Sequence, residues 1–271
     1  MKKLSIAASL LCVLSLLTAC THYYYAPNAA NIPLFKEKNT FKGKVGFSSD
    51  NYQGADLQMA CSAGKHIGVM VNSFFVGEKE QVQNDFFNST DTHEESGKGS
   101  YIEAGAGYYK PLGEQKVWIF ETYAGAGTGG ENHTYDKLQT AKLHLNKFFI
   151  QPSIGYSSKS GHVEVGLSSR FSLLNLKVKE NDLAFETNQS EKQNLDAITL
   201  HSSTFLWEPS LIIGAGWQDF KFYLQLTPSY NLDNPYLIMD YGNISIGIKF
   251  TLKNNQTKGN TKGNYVPPSI N

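Results

Sequence analysis

Apolar and polar residues alternate with a period of two along most of this chain, and few folds accept that pattern at such length. In 102–108 the apolar face carries Ile102, Ala104, Ala106 and Tyr108, and the other face carries Glu103, Gly105 and Gly107. From Val163, the residues Val165, Leu167, Phe171 and Leu173 oppose Glu164, Gly166, Ser168, Arg170 and Ser172. Ten such segments are legible, at 41–49, 53–61, 65–76, 100–110, 116–128, 146–158, 162–174, 204–217, 220–230 and 241–251. After the modest loop 50–52, short turns alternate with the longer polar stretches 77–99, 129–145, 175–203 and 231–240. An even number of strands with short turns at one end and long loops at the other predicts an all-β, antiparallel, up-and-down transmembrane β-barrel of about ten strands.

Alternation alone does not say which face is outside. A soluble ligand-binding barrel would turn the apolar face inward. Two features favour the opposite arrangement. The polar face is rich in Gly and Ser, which suits a narrow filled lumen. The apolar face carries aromatics at both ends: Phe41, Tyr108, Trp118, Tyr156, Trp217, Phe220 and Phe250 towards the short turns, and Phe75, Phe148, Phe171, Trp207 and Tyr230 towards the long loops. The ten residues from Trp207 to Trp217 rise about 25 Å at a tilt of about 40°, the height of an apolar membrane band. The apolar face is expected to meet lipid.

That orientation sends Lys42, Lys44, Asp56, Glu103, Glu121, Lys147, Glu164, Arg170, Glu208, Lys221 and Lys249 into the lumen, together with Gln58, His66, Gln151 and Gln225. A desolvated lone charge is costly, so acids and bases are expected to pair across the lumen and fill it. A selective pore lining is the alternative. Pro152, Pro209 and Pro228 each precede a serine within a strand, where a missing donor predicts a local bulge or bend.

The N-terminus gives an address. Lys2 and Lys3 precede the apolar run Leu4 to Leu17, and Thr18-Ala19 lead into Cys20. This layout predicts a secretory signal over 1–19, too short to span a bilayer comfortably. It resembles the bacterial lipobox, whose cysteine carries the lipid, so Cys20 is the expected lipid-attachment site. Residues 20–40 then form a lipid-anchored linker, 41–252 the barrel and 253–271 a polar tail. Cleavage before Cys20 removes Lys2 and Lys3 and no acid, leaving 22 basic against 24 acidic side chains. That balance excludes a nucleic-acid partner. Cys61 is then the remaining free thiol, insufficient for an internal disulfide or a zinc site.

No catalytic or metal constellation emerges. His93, His133, His144 and His201 fall near the long loops, with Glu94, Glu95, Asp136 and Asp196. Barrel hydrolases and acyltransferases place such groups at this rim, which keeps an enzyme as the rival class. Yet no spacing here defines a dyad or triad, and no metal or cofactor is implied. The glycine-rich run 124–130 has no following helix and is no phosphate cradle.

Tyr23-Tyr24-Tyr25-Ala26-Pro27-Asn28, Asn31-Ile32-Pro33-Leu34-Phe35 and Glu37-Lys38 resemble the segment after the lipobox in uncharacterised outer-membrane β-barrel lipoproteins of the Bacteroidota type. Lys65-His66-Ile67-Gly68, Glu103 to Tyr108 and Gln151-Pro152-Ser153-Ile154-Gly155 extend the resemblance over the mature chain. It implies an outer-membrane location, outer-membrane lipids as partners and no particular activity. Surface-displayed lipoproteins of such bacteria carry acidic residues after the lipidated cysteine, where this chain has Thr21-His22-Tyr23. The lipid is therefore expected in the periplasmic leaflet. An even strand count is expected to return both chain ends to the periplasmic side, with the long loops outside to meet any ligand. The expected role is structural, binding or narrow-pore, without catalysis.

Overall fold

The computed structural model describes residues 23–49, 53–83, 92–135, 139–184 and 189–253. The strands are β1 Thr40–Ser49, β2 Gln53–Ser62, β3 Ile67–Gln83, β4 Thr92–Leu112, β5 Trp118–Thr134, β6 Thr140–Ser157 and β7 Val163–Asn181. One helix, α1 (Gln189–Leu200), precedes β8 Ser203–Gly216, β9 Phe220–Pro228, β10 Tyr230–Asn231 and β11 Gly242–Lys253. The two-residue β10 continues the line of β9, so the wall has ten staves. Each pairs antiparallel with its neighbours, and β1 pairs with β11, which closes the barrel. The expected signal peptide, Cys20 and the tail beyond Lys253 lie outside the described residues.

The predicted facing holds around the wall. Phe47, Ile67, Phe75, Phe148, Leu167, Phe222 and Ile246 lie exposed on the outside, where alternate neighbours are buried. Aromatics mark two heights. Trp118 and Tyr156 are register partners near the short turns, with ring centroids 5.4 Å apart. Trp207 stacks on its partner Tyr230 at 5.2 Å near the long loops. An outward apolar belt between aromatic girdles around a polar interior is the architecture of a transmembrane barrel.

Three expectations are corrected. First, the stretches 77–99, 129–145 and 175–203 are not mainly loops. β3 to β7 continue through much of them, and α1 occupies part of the third. In the second and third of them polar residues alternate with buried apolar ones: on β6, Lys142 and His144 face outward while Ala141, Leu143 and Leu145 face inward. These extensions form a canopy above the girdle. Its core joins Leu143, Leu145, Leu174, Leu176, Leu183, Leu195, Ile198, Leu206, Leu237 and Met239.

Second, the prolines make no bulge. Pro209 and Pro228 stand opposite one another in an unbroken register, and the β8–β9 ladder lapses between Leu211↔Leu226 and Trp207↔Tyr230. The β6–β7 ladder likewise skips Gln151 and Pro152 without a shift. A missing donor removes bonds, and the flanking pairs hold the alignment.

Third, residues 23–39 are not a linker outside the wall. They run down the inside of the barrel. Tyr24 donates its N–H to the Ile238 carbonyl in the β10–β11 loop, whereas Lys36 reaches the Ser157 and Ser158 carbonyls at the short-turn mouth. The chain then enters β1 at Thr40, beside Ser62. The described N-terminus therefore stands at the long-loop end, opposite to Lys253.

Candidate functional site

The site is the lumen and the segment that fills it. Tyr24, Tyr25, Ala29, Ala30, Ile32, Leu34 and Phe35 are all buried there. Pro27 and Pro33 suit an extended strand that has no ladder to join, since they lack the N–H a ladder needs. The wall is cut to fit. A Cβ on Gly155 would stand 2.3 Å from Leu34 Cδ2, and one on Gly166 would stand 3.0 Å from Ile32 Cγ2. Ala30, Ile32 and Leu34 pack on Ile119, Ile212 and Tyr223. Phe35 packs among Ala60, Met70, Tyr109, Tyr123 and Phe149.

An extended segment away from water needs a partner for each carbonyl. Side chains from five strands supply them. Gln58 Nε2 donates to Ala29 O at 2.8 Å, Gln225 Nε2 to Ala30 O at 2.7 Å, and Gln151 Nε2 to Asn31 O at 2.7 Å. Lys249 Nζ donates to Ile32 O at 3.4 Å and Pro33 O at 3.3 Å, and Lys42 Nζ to Leu34 O at 2.9 Å. Six consecutive carbonyls are thereby satisfied. Leu34 adopts a left-handed φ of 57°, and this turn aims its N–H and that of Phe35 at the Glu121 carboxylate, at 2.9 and 2.7 Å.

The ionised groups form two nodes. Near the long-loop girdle, Arg170 Nη2 lies 3.1 Å from Glu103 and donates to Gln151 Oε1 at 2.7 Å. Lys147 sits between Glu103 at 3.8 Å and Glu208 at 3.6 Å. The plug enters this node directly. Tyr25 donates its hydroxyl to Glu208 at 2.6 Å, and Asn28 accepts from Lys147 at 2.8 Å. Asn31 donates to Asn72, which donates to Glu103. Near the short turns, Glu164 meets Lys249 at 2.8 Å, Lys42 at 3.5 Å and Lys221 at 3.6 Å. Between the nodes, Asp56 accepts from Gln58 and Ser245, and Lys44 donates to Gln225.

Thus Lys42, Lys44, Asp56, Glu103, Glu121, Glu164, Arg170, Glu208, Lys221 and Lys249 are all buried inside the barrel, with Lys147. They pair partly with one another and largely with the plug, which sequence reasoning did not foresee. His66 is the exception. It lies in the turn before β3, half-buried, with Nδ1 3.1 Å from the Tyr109 carbonyl, outside the lumen network. Beside Tyr25 and Asn28 a void of about 10 Å³ remains, too small for an ordered water file. At the short-turn mouth an open recess of about 240 Å³ is lined by Lys36, Lys42, Glu164 and Lys221.

The rim histidines whose side chains are described do not converge. His133 is buried on β5, 3.3 Å from Glu131 and edge-on to Tyr24. His144 faces outward beside Thr128, and His201 stacks on Tyr236. Asp136 and the side chains of His93, Glu94 and Glu95 lie outside the described residues. Among the described residues no cluster of three or more His, Cys, Asp or Glu has a metal-binding arrangement.

No family model matches this chain, and no curated protein matches it. Solved structures with a similar backbone include the outer membrane protease OmpT from Escherichia coli, at 10% identity and a TM-score of 0.42, covering 79% of this chain and 94% of that one. Another is the translocator domain of the autotransporter NalP from Neisseria meningitidis, at 12% identity and 0.40, covering 78% and 86%.

Proposed function

We propose that this protein is an outer-membrane lipoprotein whose barrel is held shut by its own N-terminal segment. It acts as a non-catalytic scaffold that presents the canopy outside the membrane, for a structural or binding role. The observation that carries this reading is the run of six plug carbonyls, Ala29 to Leu34, each bonded to a wall side chain. A conducting lumen keeps its charges facing water. Here Lys42, Lys249, Gln58, Gln151 and Gln225 are committed to backbone, and withdrawing the plug would leave buried polar groups unpaired on both sides.

The test is conductance in a planar lipid bilayer. The full-length barrel is expected to give no stable current steps, while a variant deleted for residues 24–35, verified as folded by heat-modifiable gel migration, opens a current. Porin-like steps from the intact chain would refute the plugged scaffold. The lipoprotein part is tested separately. Cys20→Ser is expected to abolish incorporation of labelled palmitate, with the barrel still inserting through its apolar belt.

A further inference from the structure

The direction of the plug carries a consequence for the anchor. Tyr25 bonds Glu208, the neighbour of the girdle residue Trp207, so it lies at the height of the long-loop membrane interface. One residue earlier, Tyr24 is fixed from three sides. Its N–H goes to Ile238 O at 2.9 Å, its hydroxyl to Glu191 of α1 at 2.8 Å, and Tyr135 donates to that hydroxyl at 3.2 Å. Cys20 precedes Tyr24 by four residues, which extend at most about 14 Å. The opposite interface is about 25 Å away, behind a lumen filled by the chain itself. Four residues cannot double back to it.

We infer that the mature N-terminus, with the acyl group carried by Cys20, lies on the long-loop side of the membrane, in the outer leaflet. The side follows from the barrel and from the rule that short turns face the periplasm; the acyl group rests on the lipoprotein reading proposed above. This reverses the leaflet that the residues after Cys20 suggested. The girdle is within reach, because five extended residues from Tyr25 cover about 18 Å. The wall is also low where the exit lies. β3 to β7 rise into the canopy, whereas β1 ends at Ser49, β8 begins at Ser203, and the 232–241 loop holding Tyr24 and Tyr25 joins two of the low strands. The partner is an outer-leaflet lipid surface beside the β8 to β2 side of the barrel.

The test uses the full chain in cells, with Cys61→Ser as parent, and a membrane-impermeant maleimide. Adding Tyr23→Cys is expected to give labelling on intact cells at the level reached after permeabilisation. Adding Lys253→Cys instead should give labelling only after permeabilisation. Reversal of the two overturns the inference. Should the cysteine at 23 be shielded, a protease site inserted after His22 replaces it. Cleavage by protease added to intact cells supports the inference, and resistance until the outer membrane is opened overturns it. Labelling of the Cys61→Ser parent itself on intact cells would reveal an unmodified Cys20 thiol on the outside. That result upholds the side and removes the acyl group, so the two readings fail separately. Heat-modifiable migration verifies that each variant is folded.

Discussion

The membrane belt and the canopy are built from the same strands with opposite polarity, and the β6–β7 register holds across the change and shifts only higher up, between Lys142 and Leu143. On β7, Val163 to Leu173 put apolar side chains outward and Glu164, Ser168, Arg170 and Ser172 inward; from Leu174 the inward positions are Leu174, Leu176 and Val178, and the outward ones Asn175, Lys177 and Lys179. β6 changes over between Phe148 and Leu145. At the crossing itself the ladder continues unaltered, from Phe148↔Leu173 to Leu145↔Leu176. What changes is the solvent outside, lipid below and water above, and the interior takes the polarity the exterior lacks. Two adjacent leucines, Leu173 exposed and Leu174 fully buried, mark the crossing.

This comparison is testable at single positions. The largest effect is expected inside the belt. Arg170→Leu leaves Glu103 and Glu208 with too little compensating charge and should cost about 3–5 kcal/mol in urea unfolding from micelles. An effect near zero would mean the lumen network is ornamental. Next comes the canopy core, where Leu174→Ala should cost about 2–5 kcal/mol and the adjacent, lipid-facing Leu173→Ala clearly less. Equal costs would erase the proposed crossing. The outer surface gives the last pair. Leu167→Arg, near the belt midplane, should cost about 2–4 kcal/mol, whereas Lys177→Leu on the canopy should stay within about 0.5 kcal/mol. A canopy sunk in lipid would instead gain from the leucine.

Most of the wall was legible because pleat and membrane impose one simple rule on it. Strand number, facing and the buried charges from Lys42 to Lys249 all follow from period-two alternation. The canopy was missed for a specific reason. Its strands obey the same period in the opposite phase, so Leu174-Asn175-Leu176-Lys177-Val178-Lys179 reads as a polar loop when only outward apolar residues are scored. The adjacent Leu173 and Leu174 were the available signal. The plug was missed because an extended segment without a ladder has no period at all. Its composition was nevertheless informative, since Ala29, Ala30, Ile32, Leu34 and Phe35 are poor residues for a solvated tether. The uncharged Gln58, Gln151 and Gln225 on the lumen face were a second signal, being donors suited to backbone carbonyls more than to ion pairs. Where Tyr24 stands depends on tertiary contacts with α1 and the 232–241 loop, and no local pattern encodes those.

The seam that closes the wall joins β1 to β11, the first stave made and the last. The plug is covalently continuous with β1 through Leu34-Phe35-Lys36 and turns into it at the short-turn mouth. Because the plug is tethered to the first stave, the lumen groups it satisfies meet an intramolecular partner at every dilution. The cylinder is filled by its own beginning, whatever the concentration of the protein.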